Sequence, residues 1–250
     1  MTELVIVTDD GPVRSVRMNR PEKKNALTAA MYDAMAEAIE TAGASGIRCI
    51  VILGVPGAFS AGNDLQDFLR FAMSGEGLSS AVIRFLYALA RSERPLVAGV
   101  QGVAVGIGTT LCLHCDHVVA ATDARFTTPF VSLGLVPEAA SSLLAPRLMG
   151  PRRAFSLLVM GKPLDGAEAK ACGLANAVVA PGEVDEEAMK AAREIAALPP
   201  DAVANSRRLM KGAPDEIVAR IDEEAELFKT RLQSAEARAA FEAFMTRKRP

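Results

Sequence analysis

The stretch that most restricts the fold is Gly99–Asp116, GVQGVAVGIGTTLCLHCD. An apolar run, Leu96–Val100, leads into it and is short enough for a buried strand. The chain then passes Gly102, Gly106 and Gly108 and becomes a second apolar run without proline. Strand, glycine-rich turn, helix start: that order leaves free backbone N–H groups at the turn, where the helix dipole favours negative charge. Glycine also lets a ligand come close to the backbone. Such a turn could hold a phosphate or an oxyanion. The spacing is neither GxGxxG nor a Walker loop, since no Lys-Ser or Lys-Thr pair follows. A corner that needs small residues only for packing is the competing reading.

A second stretch, Gly57-Ala-Phe-Ser-Ala-Gly-Asn-Asp-Leu65, follows another strand-like run, Cys49–Leu53, and also turns on small residues towards a helix start. Two such corners could bring two N–H donors to one point. A thioester enolate needs that arrangement: one oxygen, two fixed hydrogen bonds and no reorganisation during reaction.

These residues carry a resemblance. Phe59–Leu65 (FSAGNDL), the glycine run at 102–108 and Cys115-Asp116 resemble the crotonase, or enoyl-CoA hydratase/isomerase, superfamily. The resemblance begins at Asn19–Thr28 (NRPEKKNALT) and continues through Gly161–Leu174. Several motifs in order make it specific. It implies an α/β fold: a spiral core of stacked ββα units over residues 1–198 and a helical region over 199–250, divided at Pro199-Pro200.

Composition limits the alternatives. The chain has 250 residues, half of them apolar, enough for a large core. It has no Trp, two Tyr and a net charge of −2, which argues against nucleic acid as a partner. No apolar run approaches the ~20 residues of a membrane span. The opening MTELVIVTDDG lacks a basic segment, and the closing Arg247–Pro250 is no peroxisomal signal, so a cytoplasmic protein is expected. Cys112-x-x-Cys115, with His114 and His117, has the look of a metal or redox cluster but no second ligand pair at zinc spacing. Buried small hydrophobes, with His117 a satisfied polar residue and no metal, are expected.

Along the chain, Leu4–Thr8 and Val13–Met18 read as a hairpin around Asp10-Gly11-Pro12. Thr28 caps a helix on which Leu27, Met31, Met35 and Ile39 recur every fourth residue. Residues 48–53 are a strand, 64–70 a short helix with Asp64 as its cap, 74–77 a loop and 79–91 a helix. A helix runs from the central glycines to about Cys115, followed by strands at 117–121 and 125–127. From Pro151 the pattern is helical at 152–160, 165–171, 184–198, 201–211 and 215–245, with a last strand near 177–180.

Hydration of a 2-enoyl thioester needs two carboxyl groups. The places where the resemblance puts the hydratases' glutamates hold Thr110 and Phe130 here, and neither takes up a proton at neutral pH. This departure argues against hydration. Further on, Phe126–Ser142 resembles the Δ3,Δ2-enoyl-CoA isomerases, in which the glutamate of a Pro-Glu pair is the single base; that residue is Glu138. The residues make their own case. Glu138 is the only acid between Asp123 and Asp165 and lies among Leu133, Leu135, Val136, Ala139 and Ala140. Desolvation there would raise its pKa towards that of a general base. Pro137 suits a first helical turn, whose dipole would oppose part of that shift. A solvated Glu at a helix start is the other reading.

The resemblance implies the N–H groups of Asn63 and Ile107 as oxyanion donors, and an isomerisation of 3-enoyl-CoA to 2-enoyl-CoA with Glu138 as base. A hydratase with unusual acids, another enolate-forming reaction, or a non-catalytic acyl-CoA-binding relative stay open. The substrate site would include Lys24, Ala61, Gly62, Asn63, Asp64, Leu65, Gly106, Ile107 and Phe130, with Lys229, Phe241 and Lys248 as weaker candidates. Coenzyme A enters only as part of the thioester; no other cofactor is implied. A homotrimer or a dimer of trimers is the expected assembly.

Overall fold

The computed structural model describes residues 3–64 and 77–246. The expected 64–70 helix, most of the 74–77 loop, Leu65 and Lys248 lie outside them. Two sheets form the core. The first has six strands, in the order β1 (Val5–Asp10), β2 (Val13–Met18), β3 (Cys49–Leu53), β5 (Leu96–Val100), β7 (His117–Ala121) and β10 (Ala177–Val179). Only the β1–β2 hairpin in it is antiparallel. The second sheet has four: β4 (Ala58–Ser60), β6 (Val103–Val105), β8 (Arg125–Thr127) and β9 (Leu164–Asp165). From β3 to β8 the chain gives one strand to the large sheet, the next to the small one, and moves over by one place. That is the spiral of ββα units expected from the resemblance.

The inner strands of the large sheet are buried on both faces, as an interior parallel sheet must be, while β1 at its edge is largely exposed. Every residue of β3 (CIVIL) and β5 (LVAGV) is buried. Burial of each Val, Ile or Leu side chain there contributes about 1.5–3 kcal/mol. Helix α1 (Ala29–Glu40) buries Met31, Met35 and Ile39, and its cap is Thr28, whose hydroxyl accepts the Met31 N–H. Helix α2 (Ser80–Arg91), capped by Ser79, packs against α1. Helix α7 (Val184–Ala197) covers β3 and β5 through Val184, Ala188, Ala192 and Ala196.

The structure departs from the sequence expectations in five places. The two glycine-rich corners do not pass directly from strand to helix; each contains a three-residue strand of the second sheet, too short for any periodicity. The helix expected to reach Cys115 is α3 (Ile107–Thr110) followed by a 3₁₀ turn at Leu111–His114. A helix not foreseen, α4 (Ser141–Met149), carries Pro146 inside it. It starts after Glu138, so Pro137 is not in its first turn. The long C-terminal helix is two, α9 (Asp215–Leu232) and α10 (Ala235–Thr246), parted where the Ser234 hydroxyl accepts the Ala237 N–H. Helices α5 (Pro151–Leu158), α6 (Gly166–Ala171) and α8 (Pro200–Lys211) complete the chain. Among the described residues no helix is long and apolar enough to cross a membrane.

Candidate functional site

The two corners lie side by side because their strands pair. In β4 and β6, Ala58 stands opposite Val103 and Ser60 opposite Ala104. Asn63 follows Ser60 by three residues, and Ile107 follows Ala104 by three. The turns themselves touch. A Cβ on Gly62 would lie 2.8 Å from the Val105 carbonyl oxygen, and one on Gly108 would lie 2.9 Å from that of Ser60. Gly62 also has φ +86°, which side chains disfavour.

At each corner the local backbone pairing leaves one N–H unused. Leu27 N–H donates to Gly62 O (2.8 Å) and Asp64 N–H to Leu27 O (2.9 Å), so the extended chain turns the intervening Asn63 N–H the other way. Ile107 opens α3, where an N–H has no partner within the helix. The preceding Gly106 N–H is already taken by Thr127 O (2.8 Å). The Ile107 side chain is buried.

A network from the 20–25 loop holds the first corner. Asn25, wholly buried in a left-handed conformation (φ 54°), donates to Ala58 O (3.1 Å) and Phe59 O (3.0 Å). Its own carbonyl accepts from Ser60 Oγ, which in turn accepts the Gly62 N–H. Lys24 is exposed; its carbonyl, not its ammonium, holds the corner by accepting the Ala61 N–H at 2.8 Å. The Asp64 carboxylate pairs with Arg20 at 2.6 Å. Tyr32, fully buried on α1, donates to Asn63 Oδ1 at 2.5 Å and so fixes that side chain.

Glu138 stands against the second corner. Its side chain is 2 % exposed, and Thr110 Oγ1 donates to it at 2.6 Å. Thr110 lies three residues after Ile107 and therefore on the same face of α3. Burial is the main cause that pushes the Glu138 carboxyl up to about 8; the Thr110 bond opposes this and the charge of Glu224 adds to it. Glu138 in turn helps raise the Tyr32 hydroxyl, after burial, so the carboxyl lies within electrostatic reach of the group that holds Asn63. Phe130 is buried, its ring 3.9 Å from where a Gly106 Cβ would be.

The turn carrying Glu138 is unusual for its residues. Ala139 (φ 62°) and Ala140 (φ 54°) are both left-handed, a conformation costing alanine about 1–2 kcal/mol each. Side chains from other elements hold it. His114 Nε2 lies 2.7 Å from the Ala139 carbonyl and must donate to it. Burial lowers His114 to about 4, so it is neutral with its proton on Nε2. This corrects the expectation for the cysteine segment: His114, not His117, is the buried and satisfied histidine, while His117 is half-exposed at the start of β7. Cys112 is buried, its thiol raised by desolvation. No group of three or more metal-ligating side chains occurs among the described residues.

Of the remaining candidates, Phe241 is buried in the core and Lys229 packs its methylenes beside Gly77. Sequence reasoning missed Tyr32, His114 and Glu224 as supports. Only Tyr32 had a signal: in a chain of two tyrosines, one on a buried helix face needs a partner for its hydroxyl.

The family model described as enoyl-CoA hydratase/isomerase matches residues 9–250. Enoyl-CoA delta isomerase 2 of Rattus norvegicus is 34 % identical over 249 residues, covering 98 % of this chain and 64 % of that protein. The chain thus spans a little under two thirds of that relative's length. The 1,2-epoxyphenylacetyl-CoA isomerase of Escherichia coli strain K12 is 29 % identical over 260 residues, covering 100 % of this chain and 98 % of that one. The solved structure of OdaA from Pseudomonas aeruginosa superposes with a TM-score of 0.93 at 45 % identity, covering 98 % and 100 % of the two chains. With the spiral of paired strands, the two touching corners and a family match over nearly its full length, the chain belongs to the enoyl-CoA hydratase/isomerase family.

Proposed function

We propose that this protein shifts the double bond of a 3-enoyl-CoA to give the 2-enoyl-CoA. One observation carries the reading: Glu138 is a buried carboxyl beside the second corner, and the two positions that would hold a hydratase's acids are Thr110 and Phe130. The thioester carbonyl accepts hydrogen bonds from the Asn63 and Ile107 N–H groups. Glu138, as carboxylate, removes a C2 proton, and the electron pair moves into the thioester to form a dienolate. Each N–H donor is worth about 3–4 kcal/mol to that charge. Glu138 then returns the same proton to C4 while the pair closes the C2–C3 double bond. No net proton is gained or lost, and one base suffices. Thr110 belongs to this chemistry as the donor that keeps the Glu138 carboxylate aimed at the corner.

Lys24, Ala61, Gly62, Asp64, Leu65, Gly106 and Phe130 are the proposed surroundings of the acyl-CoA, with Ile107 narrowing the space beside the thioester. No metal or redox cofactor enters the scheme. Assembly as a homotrimer or a dimer of trimers, a cytoplasmic location, and residues 199–250 as a separate helical region belong to the same proposal.

The test is to supply purified protein with 3-enoyl-CoA and, separately, 2-enoyl-CoA, and to follow conjugation and hydration. Conjugation falling by more than about 10³-fold in Glu138→Gln, with acyl-CoA still bound, is the expected result. Hydration of the 2-enoyl-CoA that survives this substitution would overturn it. Activity rises with pH through about 8, where Glu138 ionises.

A further inference from the structure

We infer that Glu224, far along the chain on α9, is a positioning residue for Glu138: its carboxylate grips the main chain of the turn that aims the base. Glu224 is 4 % exposed. Its Oε1 accepts the Ser142 N–H at 2.9 Å, at the start of α4. Burial raises the Glu224 carboxyl above its ordinary value; the Ser142 hydroxyl, the Ser142 and Ala140 amides and the charge of Arg220 oppose that shift. An anion at a helix N-terminus is stabilised by the unpaired amides there. The gripped segment is the one that requires support, since it follows directly on two left-handed alanines. Ala140, the residue before α4, offers no side-chain cap of its own.

The location is costly, which a purely structural cap on a solvated helix would not need to be. Glu224 Oε2 and Ser141 Oγ are buried and lack a hydrogen-bond partner among the described residues. Buried polar atoms without partners are rare and call for an explanation. Arg220, one turn earlier on α9, bonds Ser142 Oγ at 3.1 Å and moderates the cost. The other groups facing this turn are His114 from the 3₁₀ turn after α3, Thr110 from α3 and Tyr32 from α1. None of these three carries a negative charge; Glu224 does, and it raises the Glu138 carboxyl further.

The inference rests on Glu138 being the base, so its test includes readouts that need no turnover. Glu224→Gln keeps a carbonyl oxygen for the amides but removes the charge; Glu224→Ala removes both. In Glu224→Ala, amide exchange at 138–142 accelerates by more than about tenfold, and kcat falls by at least that factor with KM for the 3-enoyl-CoA within about twofold. Glu224→Gln loses less kcat, and the Glu138 titration, followed by carbon NMR of glutamate-labelled protein, moves to lower pH. Should Glu224→Ala fail to fold, the Gln variant decides through that titration and the acid limb of the rate profile. Wild-type kcat in a folded Glu224→Ala protein, or an unmoved Glu138 titration in Glu224→Gln, would overturn the positioning role. A wild-type protein that isomerises no 3-enoyl-CoA would instead overturn the functional reading, and exchange and titration would still decide whether Glu224 holds the turn.

Discussion

The paired corners at 61–64 and 106–108 and the turn at 138–140 meet at Thr110, yet they are held by different means. The corners are set in register by main chain, with the Asn25 side chain tying down the first. Parallel pairing of β4 with β6 sets their register, and the glycines allow contact at distances where a Cβ would collide. The turn has no ladder beneath it. It is held by side chains from two separated parts of the chain, Thr110 and His114 on one and Glu224 on the other. Main-chain pairing repeats with the strands and tolerates many side chains, whereas a side-chain clamp depends on a few residues.

Breaking the corner should cost most. Gly62→Val puts a branched side chain at φ +86° and against the Val105 carbonyl. We expect kcat to fall by about 10²-fold or more and stability by about 2–4 kcal/mol, read from turnover and from denaturant midpoints. Asn25→Ala takes the donor from the Ala58 and Phe59 carbonyls. A loss of about 2–4 kcal/mol in urea unfolding is expected, because two buried acceptors are left unpaired.

At the turn, the expected effect on stability has the opposite sign. Unfolded, Glu138 titrates near 4.5; folded, near 8. Between those values the unfolded chain binds fewer protons, so the Glu138 contribution to stability falls as pH rises from 4.5 to 8. Glu138→Gln should therefore melt higher than wild type at pH 9, by something on the order of a few kcal/mol, and lose that advantage at pH 5. An equal difference at both values would show that the carboxyl is not desolvated. The smallest effect is that of Thr110→Val. Without the hydroxyl that stabilises the carboxylate, Glu138 ionises at higher pH, and the acid limb of kcat/KM moves up by about one unit, with stability changed by about 1 kcal/mol.

Much of this was legible in the residues. Apolar runs gave the large sheet; Thr28 and the four-residue spacing on α1 gave the first helix. The motif FSAGNDL and the glycines at 102–108 located both corners, and isolation among apolar neighbours marked Glu138. The second sheet was hidden because three-residue strands leave no period to read. Helix α4 was hidden because it carries Pro146 and follows two alanines whose left-handed backbone nothing local announces.

The sequence alone therefore determined which backbone would be apolar, which would be bare, and which acid would be desolvated, since these depend on near neighbours. Tertiary structure decided what holds Glu138 and its turn: a hydroxyl 28 residues upstream of Glu138, a histidine 25 residues upstream of Ala139, and a carboxylate 82 residues beyond Ser142. Such contacts are made by side chains on elements that pair only when the spiral closes, and no local period encodes that closure.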